Sequence, residues 1–249
     1  MTDFYYEKNP LIQVTFQVRF TKILSLVTGV PSDFQINLKK LLDVKNLDYS
    51  EERDILLNSS SIFPTPAPNF IFIDKQNSVS IKICSDYLQI YSSKYKHFND
   101  FKHYIEASLE AFKLSYHNQI YTRIGFMYQN LIIKEDLELD NWEDILSREL
   151  TPMFTKLPIG NLDNFTNILN IKSENYQFTC RTGLADTTNS QDNKTTKGYI
   201  IDIDGFTTGE YDHESILQHT KHIRECNKKL FRGFITDELH TKLIPREYR

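Results

Sequence analysis

The stretch QIYTRIGFMYQNLII, residues 119–133, decides how the rest of the chain is arranged. It is rich in β-branched and aromatic residues and directly follows the strongest helical pattern in the sequence, which predicts a long central strand. Arg123 and Asn130 are polar residues inside this largely apolar run. A central strand normally tolerates such side chains only when they are hydrogen-bonded. We therefore expect a buried or half-buried polar feature at these two positions.

A helix is predicted immediately before this strand, because apolar side chains recur there on a single helical stripe. The stripe consists of Phe98, Phe101, Ile105, Leu109, Phe112 and Tyr116. After the strand, a short helix is predicted over residues 142–150, capped by Asp140 or Asn141. Pro152 and Pro158 then mark a boundary.

Towards the N-terminus, strict alternation of apolar and polar residues predicts a strand whose apolar side chains share one face. These side chains are Ile12, Val14, Phe16, Val18 and Phe20. A helix follows Pro31, with Ser32 as its expected cap. Short strands at residues 55–57, 70–73, 79–83 and 88–91 then predict an antiparallel meander, with prolines between residues 64 and 68 breaking the first from the second.

Towards the C-terminus, strands are predicted at residues 164–171, 175–184 and 198–203, and Asp212 is expected to cap a final long helix. The polar connector at residues 186–197 is either a mobile tip or a segment that a partner orders. The pattern predicts an α+β fold: antiparallel sheets with packed helices, in two loosely similar strand-rich halves that are each followed by a long helix. We place these closely packed halves at residues 1–150 and 151–249.

The composition is that of an ordinary soluble globular protein, with 249 residues, 40% hydrophobic and 25% charged. A net charge of −4 gives no global positive field that would attract nucleic acid or anionic membranes. The three cysteines are widely spaced, which fits reduced thiols in the cytoplasm. No signal peptide or membrane-spanning run is expected from the sequence.

Four short motifs, in this order along the chain, resemble a sporadically distributed family of conserved bacterial proteins with no established activity. They are Asn9-Pro10 before the alternating strand, Arg123-x-Gly125-x-x-Tyr128-x-Asn130, Ile201-Asp202-Ile203-Asp204, and Phe231-x-x-x-Ile235-Thr236-Asp237-Glu238-Leu239. Many members carry a histidine seven residues before the helix phenylalanine, where this chain has Arg224, so a role for that histidine does not transfer. The resemblance implies a patchy distribution of the kind seen for phage-defence and toxin–antitoxin genes.

Arg123, Tyr128 and Asn130 are candidates for an anion or peptide-terminus pocket, because guanidinium and amide groups suit planar polar ligands. Alternate positions of a strand face opposite ways, so these residues share a face only if a bulge intervenes, and Gly125 is a plausible place for one. The alternative interpretation is a structural hydrogen-bond network.

Asp202 and Asp204 lie two residues apart on a predicted strand, which places both carboxylates on one face. Such a pair can hold a divalent cation or divide acid and base roles, and this predicts a metal-dependent hydrolase or nuclease as one alternative function, with His213 or His219 nearby. The other interpretation is an ordinary solvent-facing strand end.

His219, His222 and Cys226 fall on one flank of the final helix, and zinc accepts these ligand types. His213 or Asp212, one turn earlier, would complete a ligand set. All three candidates come from one helix and lack the usual zinc spacing, so ordinary packing is the competing interpretation.

One basic and aromatic cluster suits single-stranded nucleic acid in principle. Its members are Tyr91, Lys94, Tyr95, Lys96, His97, Phe98, Lys102 and His103. A solvated junction between strand and helix is the competing interpretation, because Asp86 and Asp100 dilute the positive charge.

The common catalytic and nucleotide-binding signatures are absent from the sequence. This absence, the abundant Tyr and Phe, and the polar connector lead us to expect a non-catalytic protein-binding subunit: a sensor, inhibitor or adaptor. We expect no cofactor and a protein partner encoded by a neighbouring gene, with a homo-oligomer as a further possibility. The alternatives are the hydrolase and nucleic-acid binding described above.

Overall fold

The computed structural model of the protein describes residues 4–54, 67–117, 119–148, 150, 163–188 and 195–247. The strands in these ranges are β1 (Phe4–Tyr6), β2 (Leu11–Phe20), β3 (Asp48–Asp54), β4 (Ala67–Asp74), β5 (Val79–Ile83), β6 (Tyr87–Ser92), β7 (Tyr121–Ile132), β8 (Phe165–Ser173), β9 (Tyr176–Thr188), β10 (Thr195–Tyr211) and β11 (Pro245–Glu247). The α-helices are α1 (Ser25–Thr28), α2 (Ser32–Leu42), α3 (Phe98–Ser115), α4 (Ile216–Phe234) and α5 (Asp237–Lys242). The predicted α+β class is confirmed. None of the helices in the described ranges combines the length and the apolar composition that a membrane crossing requires.

The structure separates into two compact units that interleave along the chain. The first unit comprises Gln13–Phe126 and Phe206–Lys221, and the second unit comprises Met1–Ile12, Met127–Gly205 and His222–Arg249. Strands β2, β7 and β10 therefore contribute residues to both units. The division into contiguous halves at residue 150 stays a prediction.

In the first unit, the strands are hydrogen-bonded in the order β3-β4-β5-β6-β2, followed by the parts of β7 and β10 that belong to it. The β4–β5, β5–β6 and β6–β2 pairs are antiparallel. Their register aligns four buried side chains, which we call the apolar row: Phe72, Ile81, Ile90 and Phe16. Because side chains alternate along a strand, this row belongs to one continuous apolar face of the sheet.

Helices α2 and α3 cover that apolar face. The Phe34 ring of α2 lies 5.7 Å from the Phe72 ring, and the Phe112 ring of α3 lies 4.4 Å from the Phe20 ring, measured between centroids. The predicted stripe of α3 is buried from Phe98 to Phe112. The predicted strand β2 is also confirmed, except that Ile12 is 42% exposed.

In the second unit, the strand order is β7-β10-β9-β8, and β1 pairs with β11 in a separate two-stranded ribbon. Helix α4 comes very close to β10 at Gly205. A Cβ atom at this position would lie 2.5 Å from Ile223 Cγ2, 2.6 Å from Asn227 Oδ1 and 2.9 Å from Phe178 Cδ1. Only glycine fits this contact without a shift of its neighbours.

The predicted helix over residues 142–150 is wrong. Over residues 142–148, all of which the structure describes, the chain makes a 3₁₀ turn at Trp142–Asp144, and Leu146 then forms an isolated antiparallel bridge with Ile235. The backbone N–H of Ser147 donates to Phe234 O, and Ile145 O accepts from the backbone N–H of Thr236, so these two groups bond a distant segment and do not continue a helix. Sequence periodicity does not reveal this competition between local and non-local hydrogen bonds.

The predicted helix caps had different outcomes. Ser32 is the first residue of α2, and the helix has no side-chain cap, so that prediction is wrong. Asp212 does cap the turn that leads into α4, because its Oδ1 accepts a hydrogen bond of 2.9 Å from the backbone N–H of Ser215. Neither Asp140 nor Asn141 caps an α-helix, since none forms there.

Some predictions concern residues outside the described ranges: the strand at 55–57, the prolines at 64–66, Pro152 and Pro158. The polar connector is shorter than predicted, because residues 186–188 belong to β9 and residues 195–197 belong to β10. Only its tip, residues 189–194, lies outside the described structure. The two strand ends are tied together by a 2.8 Å ion pair between Lys197 and Asp186.

Gly205→Ala is expected to destabilise the protein by about 1–3 kcal/mol, because the new methyl group overpacks the contact between α4 and β10. Gly233→Ala is the matched control, since, apart from its chain neighbours and the backbone of its own helix, no atom of the described residues lies within 4 Å of a Cβ at that position of α4. We expect the control to be stabilised by about 0.5–1 kcal/mol, as for alanine in place of glycine within a helix. Urea denaturation measures both changes. Equal effects of the two substitutions would contradict the packing described for Gly205.

Candidate functional site

Polar side chains form a second row across the first unit, on the face of the sheet opposite to α2 and α3. We call it the transverse row; its members are Lys82, Gln89, Gln17, Arg123 and Phe206, from β5, β6, β2, β7 and β10. Lys82 is aligned with Gln89, and Gln89 with Gln17, in the strand register. All five side chains are half-buried.

Arg123 is held within this row by three contacts. Its Nη1 donates a 3.2 Å hydrogen bond to Gln17 Oε1, and its Cζ lies 4.5 Å from the centre of the Phe206 ring, a cation–π geometry. Its guanidinium also lies over Gly125, where a Cβ would be 2.5 Å from Nη1. Gly125 therefore provides the space that the arginine occupies. Gln17 in turn donates a 3.0 Å bond from Nε2 to Gln89 Oε1, so the row is linked across four strands.

Aromatic and basic side chains flank the transverse row. Tyr87 is aligned with Arg19, and Tyr91 is aligned with Thr15, in the β2–β6 register. Both tyrosines are half-buried and Arg19 is exposed. Lys82 forms an ion pair with Glu52 at 3.8 Å. The face therefore presents tyrosines and cations on a scaffold of backbone hydrogen bonds.

The three residues of the predicted pocket, Arg123, Tyr128 and Asn130, do not share one face of β7. Tyr128 and Asn130 are buried, whereas the residues that alternate with them are half-buried, so Arg123 lies on the other face of β7. Asn130 instead donates a buried 3.0 Å hydrogen bond from Nδ2 to the backbone oxygen of Ile201. The polar side chain at this position of the strand is therefore part of a structural hydrogen bond.

A cavity of about 270 Å³ lies within the first unit, where the sequence has its basic and aromatic cluster. Its walls are Gln76, Asn77, Val79, Ser92, Lys94, Tyr95, Lys96, His97, Asp100, Phe101 and Tyr104. Four predicted members of the cluster, Tyr91, Phe98, Lys102 and His103, do not line it. Lys102 forms a 2.9 Å ion pair with Glu106, and the His103 ring packs 5.9 Å from the Tyr104 ring.

Asp74 fixes the wall of this cavity. It accepts hydrogen bonds of 3.0 Å and 3.3 Å from the backbone N–H groups of Gln76 and Asn77, 2.9 Å from Asn77 Nδ2, and 2.5 Å from the Tyr104 hydroxyl. Burial by itself raises the pKa of Asp74, but the hydrogen bonds from Tyr104, Asn77 and Gln76 outweigh it and leave the pKa below its usual value. The sequence patterns did not point to Asp74 and Tyr104; the Asp-x-x-Asn turn spacing was the available signal.

Asp202 and Asp204 alternate with the buried Ile201 and Ile203, as expected for one strand face. Arg181 Nη1 lies 3.6 Å from Asp202 Oδ2, so one of the two carboxylates already has a cation beside it. Burial raises the pKa of Asp202, the positive charge of Arg181 lowers it, and the negative charge of Asp204 raises it. The net effect is a raised pKa. No group of three or more His, Cys, Asp or Glu side chains suited to a metal ion occurs among the described residues.

The histidines and cysteine of α4 each make aromatic or short-range contacts. The His222 ring lies 4.3 Å from that of Tyr176, and Cys226 Sγ is 3.6 Å from His222 Nε2. His219 packs 4.7 Å from the ring of Tyr211. Burial raises the pKa of the Cys226 thiol.

His213 contacts α3 and β7 in the first unit. Its Nε2 is 3.7 Å from a carboxylate oxygen of Glu110, and its Nδ1 is 3.4 Å from the Tyr121 hydroxyl. Asp212 accepts its bond from Ser215. His213 and Asp212 therefore each make a separate structural contact.

The C-terminal motif starts a helix. Thr236 is the N-cap of α5, because its hydroxyl accepts a 3.1 Å hydrogen bond from the backbone N–H of Leu239. The Leu239 side chain is fully buried. Asp237 and Glu238 lie in the first turn, where acidic residues favour the helix dipole. Arg224 is buried and ion-paired with Glu225.

The chain matches no family model, and it has no significant match among curated proteins. The resemblance to the sporadically distributed family therefore stays an expectation from the motifs.

Tyr104→Phe is expected to lower the free energy of unfolding by about 1.5–3 kcal/mol at pH 7, because the hydroxyl bonds to an ionised carboxylate. A carboxylate with a lowered pKa adds stability above its unfolded pKa, and this contribution disappears as pH falls through the folded pKa. The difference between wild type and variant should therefore shrink below about pH 4.

Urea denaturation across this pH range measures the effect. Tyr95→Phe is the control, because Tyr95 lines the same cavity but is not among the groups bonded to Asp74. A Tyr104→Phe difference that is the same at neutral and acidic pH would contradict the interaction.

Proposed function

We propose that the protein is a non-catalytic binding subunit, a sensor, inhibitor or adaptor, that engages an acidic surface of another protein through the face carrying the transverse row. The observation that supports this most directly is the way in which the Arg123 side chain is held in place. It is held between an amide and an aromatic ring on the face that α2 and α3 do not cover.

The chemistry of the face suits a protein partner. Tyr and Arg are among the residue types that most often contribute strongly to binding at interfaces. Tyr brings a large, rigid ring, and Arg brings a planar group with several hydrogen-bond donors. Tyr87 and Tyr91 of β6 and Arg19 of β2 lie on the same face of the sheet as Arg123. A guanidinium that is already ordered loses less freedom when it binds a carboxylate than one on a mobile side chain.

The proposed partner is acidic because three cations lie on this face, and Asp48 of β3, which shares the face, is already ion-paired with Lys75. Arg19, Lys82 and Arg123 contribute positive charge, and Glu52 pairs with Lys82. We further propose that the protein works in the cytoplasm with a partner encoded nearby. The free thiols support the location, and the motif resemblance suggests a phage-defence or toxin–antitoxin locus.

The hydrolase alternative has less support. It rests on Asp202 and Asp204, and Arg181 already lies beside Asp202. A metal site built on this pair would need at least one more protein or solvent ligand.

Arg19→Glu and Arg123→Lys are each expected to reduce recovery of the partner about tenfold, equivalent to about 1.4 kcal/mol of binding free energy. The Arg19→Glu substitution reverses an exposed charge. The Arg123→Lys substitution keeps the positive charge but removes the planar guanidinium group. The measurement is affinity capture from host cells with quantitative mass spectrometry, together with a thermal melt to verify folding.

Arg181→Ala is the control, because this arginine is 50% exposed and belongs to the second unit. A partner recovered equally with all variants would refute the use of this face. Recovery of no specific partner by the wild type would refute the proposed function itself.

Nucleic-acid binding is a second candidate function, and the cavity at Lys94 and Lys96 is the observation that favours it. Two lysines beside Tyr95 provide charge for phosphate and a ring for base stacking. Asp100 lines the same cavity and reduces the local positive charge.

If this second candidate is right, Lys94→Ala with Lys96→Ala should weaken binding of a labelled oligothymidylate. It should also reduce the slope of log K against log salt by about one for each lysine that neutralises a phosphate. Lys102→Ala is the control, since Lys102 pairs with Glu106 and does not line the cavity. Fluorescence anisotropy at several salt concentrations measures both. No binding by the wild type at low salt excludes the candidate.

A further inference from the structure

Strand β8 lies at the end of the strand order in the second unit, and β9 is the strand that pairs with it among the described residues. The β8–β9 pairing is antiparallel and includes all nine residues of β8, from Phe165 opposite Leu184 to Ser173 opposite Tyr176. In such a pair, alternate backbone N–H and C=O groups point away from the partner strand. The outer edge of β8 therefore presents a regular row of hydrogen-bonding groups.

Natural proteins protect edge strands with charges, prolines or bulges. Strand β3, at the end of the strand order in the first unit, follows this rule: its sequence DYSEERD contains five charged residues in seven. Strand β8 has the sequence FTNILNIKS, in which Lys172 is the one charged residue and proline is absent. The β8 edge is thus suited to pairing with another strand.

The side chains of β8 would gain burial from an added strand. Thr166, Ile168, Asn170 and Lys172 are exposed on one face, with Ile168 56% exposed. On the other face, Leu169 and its alternating neighbours are only half-buried, although they oppose buried residues of β9 such as Cys180. An added strand would bury this apolar margin.

We propose that β8 is the contact strand of a two-fold symmetric dimer of this chain. A two-fold contact is isologous, so β8 must be complementary to itself. An antiparallel register centred on Leu169 is the one that uses all nine residues. It places Leu169 opposite its symmetry mate, Ile171 opposite Asn167, and Ile168 opposite Asn170.

The same register keeps the Lys172 side chains of the two copies apart. Lys172 faces Thr166 of the other copy, so the two lysines do not oppose each other, and like charges directly opposite would be destabilising. The dimer depends on the second unit alone and is independent of the transverse row. Its occurrence neither requires nor excludes the acidic partner proposed above.

Size-exclusion chromatography with light scattering tests the inference. The wild type is expected at twice the chain mass of 29.4 kDa, with dissociation on dilution through the micromolar range. In the double variant Ile168→Lys with Asn170→Lys, each new lysine at position 168 faces the new lysine at position 170 of the other copy. These two pairs of like charges should weaken the dimer by about tenfold or more. Ile168→Glu with Asn170→Lys places opposite charges at the same two places and should retain the dimer.

Both double variants change exposed positions, and circular dichroism with a thermal melt verifies that they fold. Hydrogen exchange of the β8 amides should be slower at high protein concentration in the wild type and in the Glu/Lys variant. A wild type that remains at 29.4 kDa at every concentration overturns the proposal. It is also overturned if the two double variants associate equally.

Discussion

Burial of the apolar row beneath α2 and α3 is the constraint on which the first unit depends. Phe72, Ile81, Ile90 and Phe16 meet in one line because four strands share a single register. A register shift of one residue would move the apolar side chains of a strand from the core face of the sheet to the solvent face. The same register therefore also aligns Gln89 with Gln17 on the opposite face, and the geometry of the candidate site follows from packing in the core.

Two glycines show how a missing side chain permits a specific contact. Arg123 and Gly125 are two residues apart on a strand and so share a face, which lets the guanidinium lie over the glycine. The Arg-x-Gly spacing of the motif thus has a direct physical explanation. Gly205 plays the corresponding role for helix packing, because it admits Ile223 and Asn227 against the backbone of β10.

Several polar groups among the described residues are used to hold the fold together. Asp74 accepts four hydrogen bonds, and Asn130 is committed to the backbone of Ile201. Burial raises the pKa of Cys84 to about 12 and that of Cys180 to about 11, so both thiols stay protonated near neutral pH and are poor nucleophiles. Such groups stabilise a rigid scaffold, and a rigid scaffold presents an interface with little loss of conformational entropy.

Local periodicity and residue type were enough to predict the α+β class, β2, β7, the apolar stripe of α3 and the polar positions of Arg123 and Asn130, because each of these depends on neighbours in the chain. They did not predict the 3₁₀ turn near Trp142, where a bridge to Ile235 replaces helical hydrogen bonds. Nor did they reveal the transverse row or the bond between Tyr104 and Asp74. These join residues that are far apart in the chain, and only the strand register and helix packing bring them within a few ångströms.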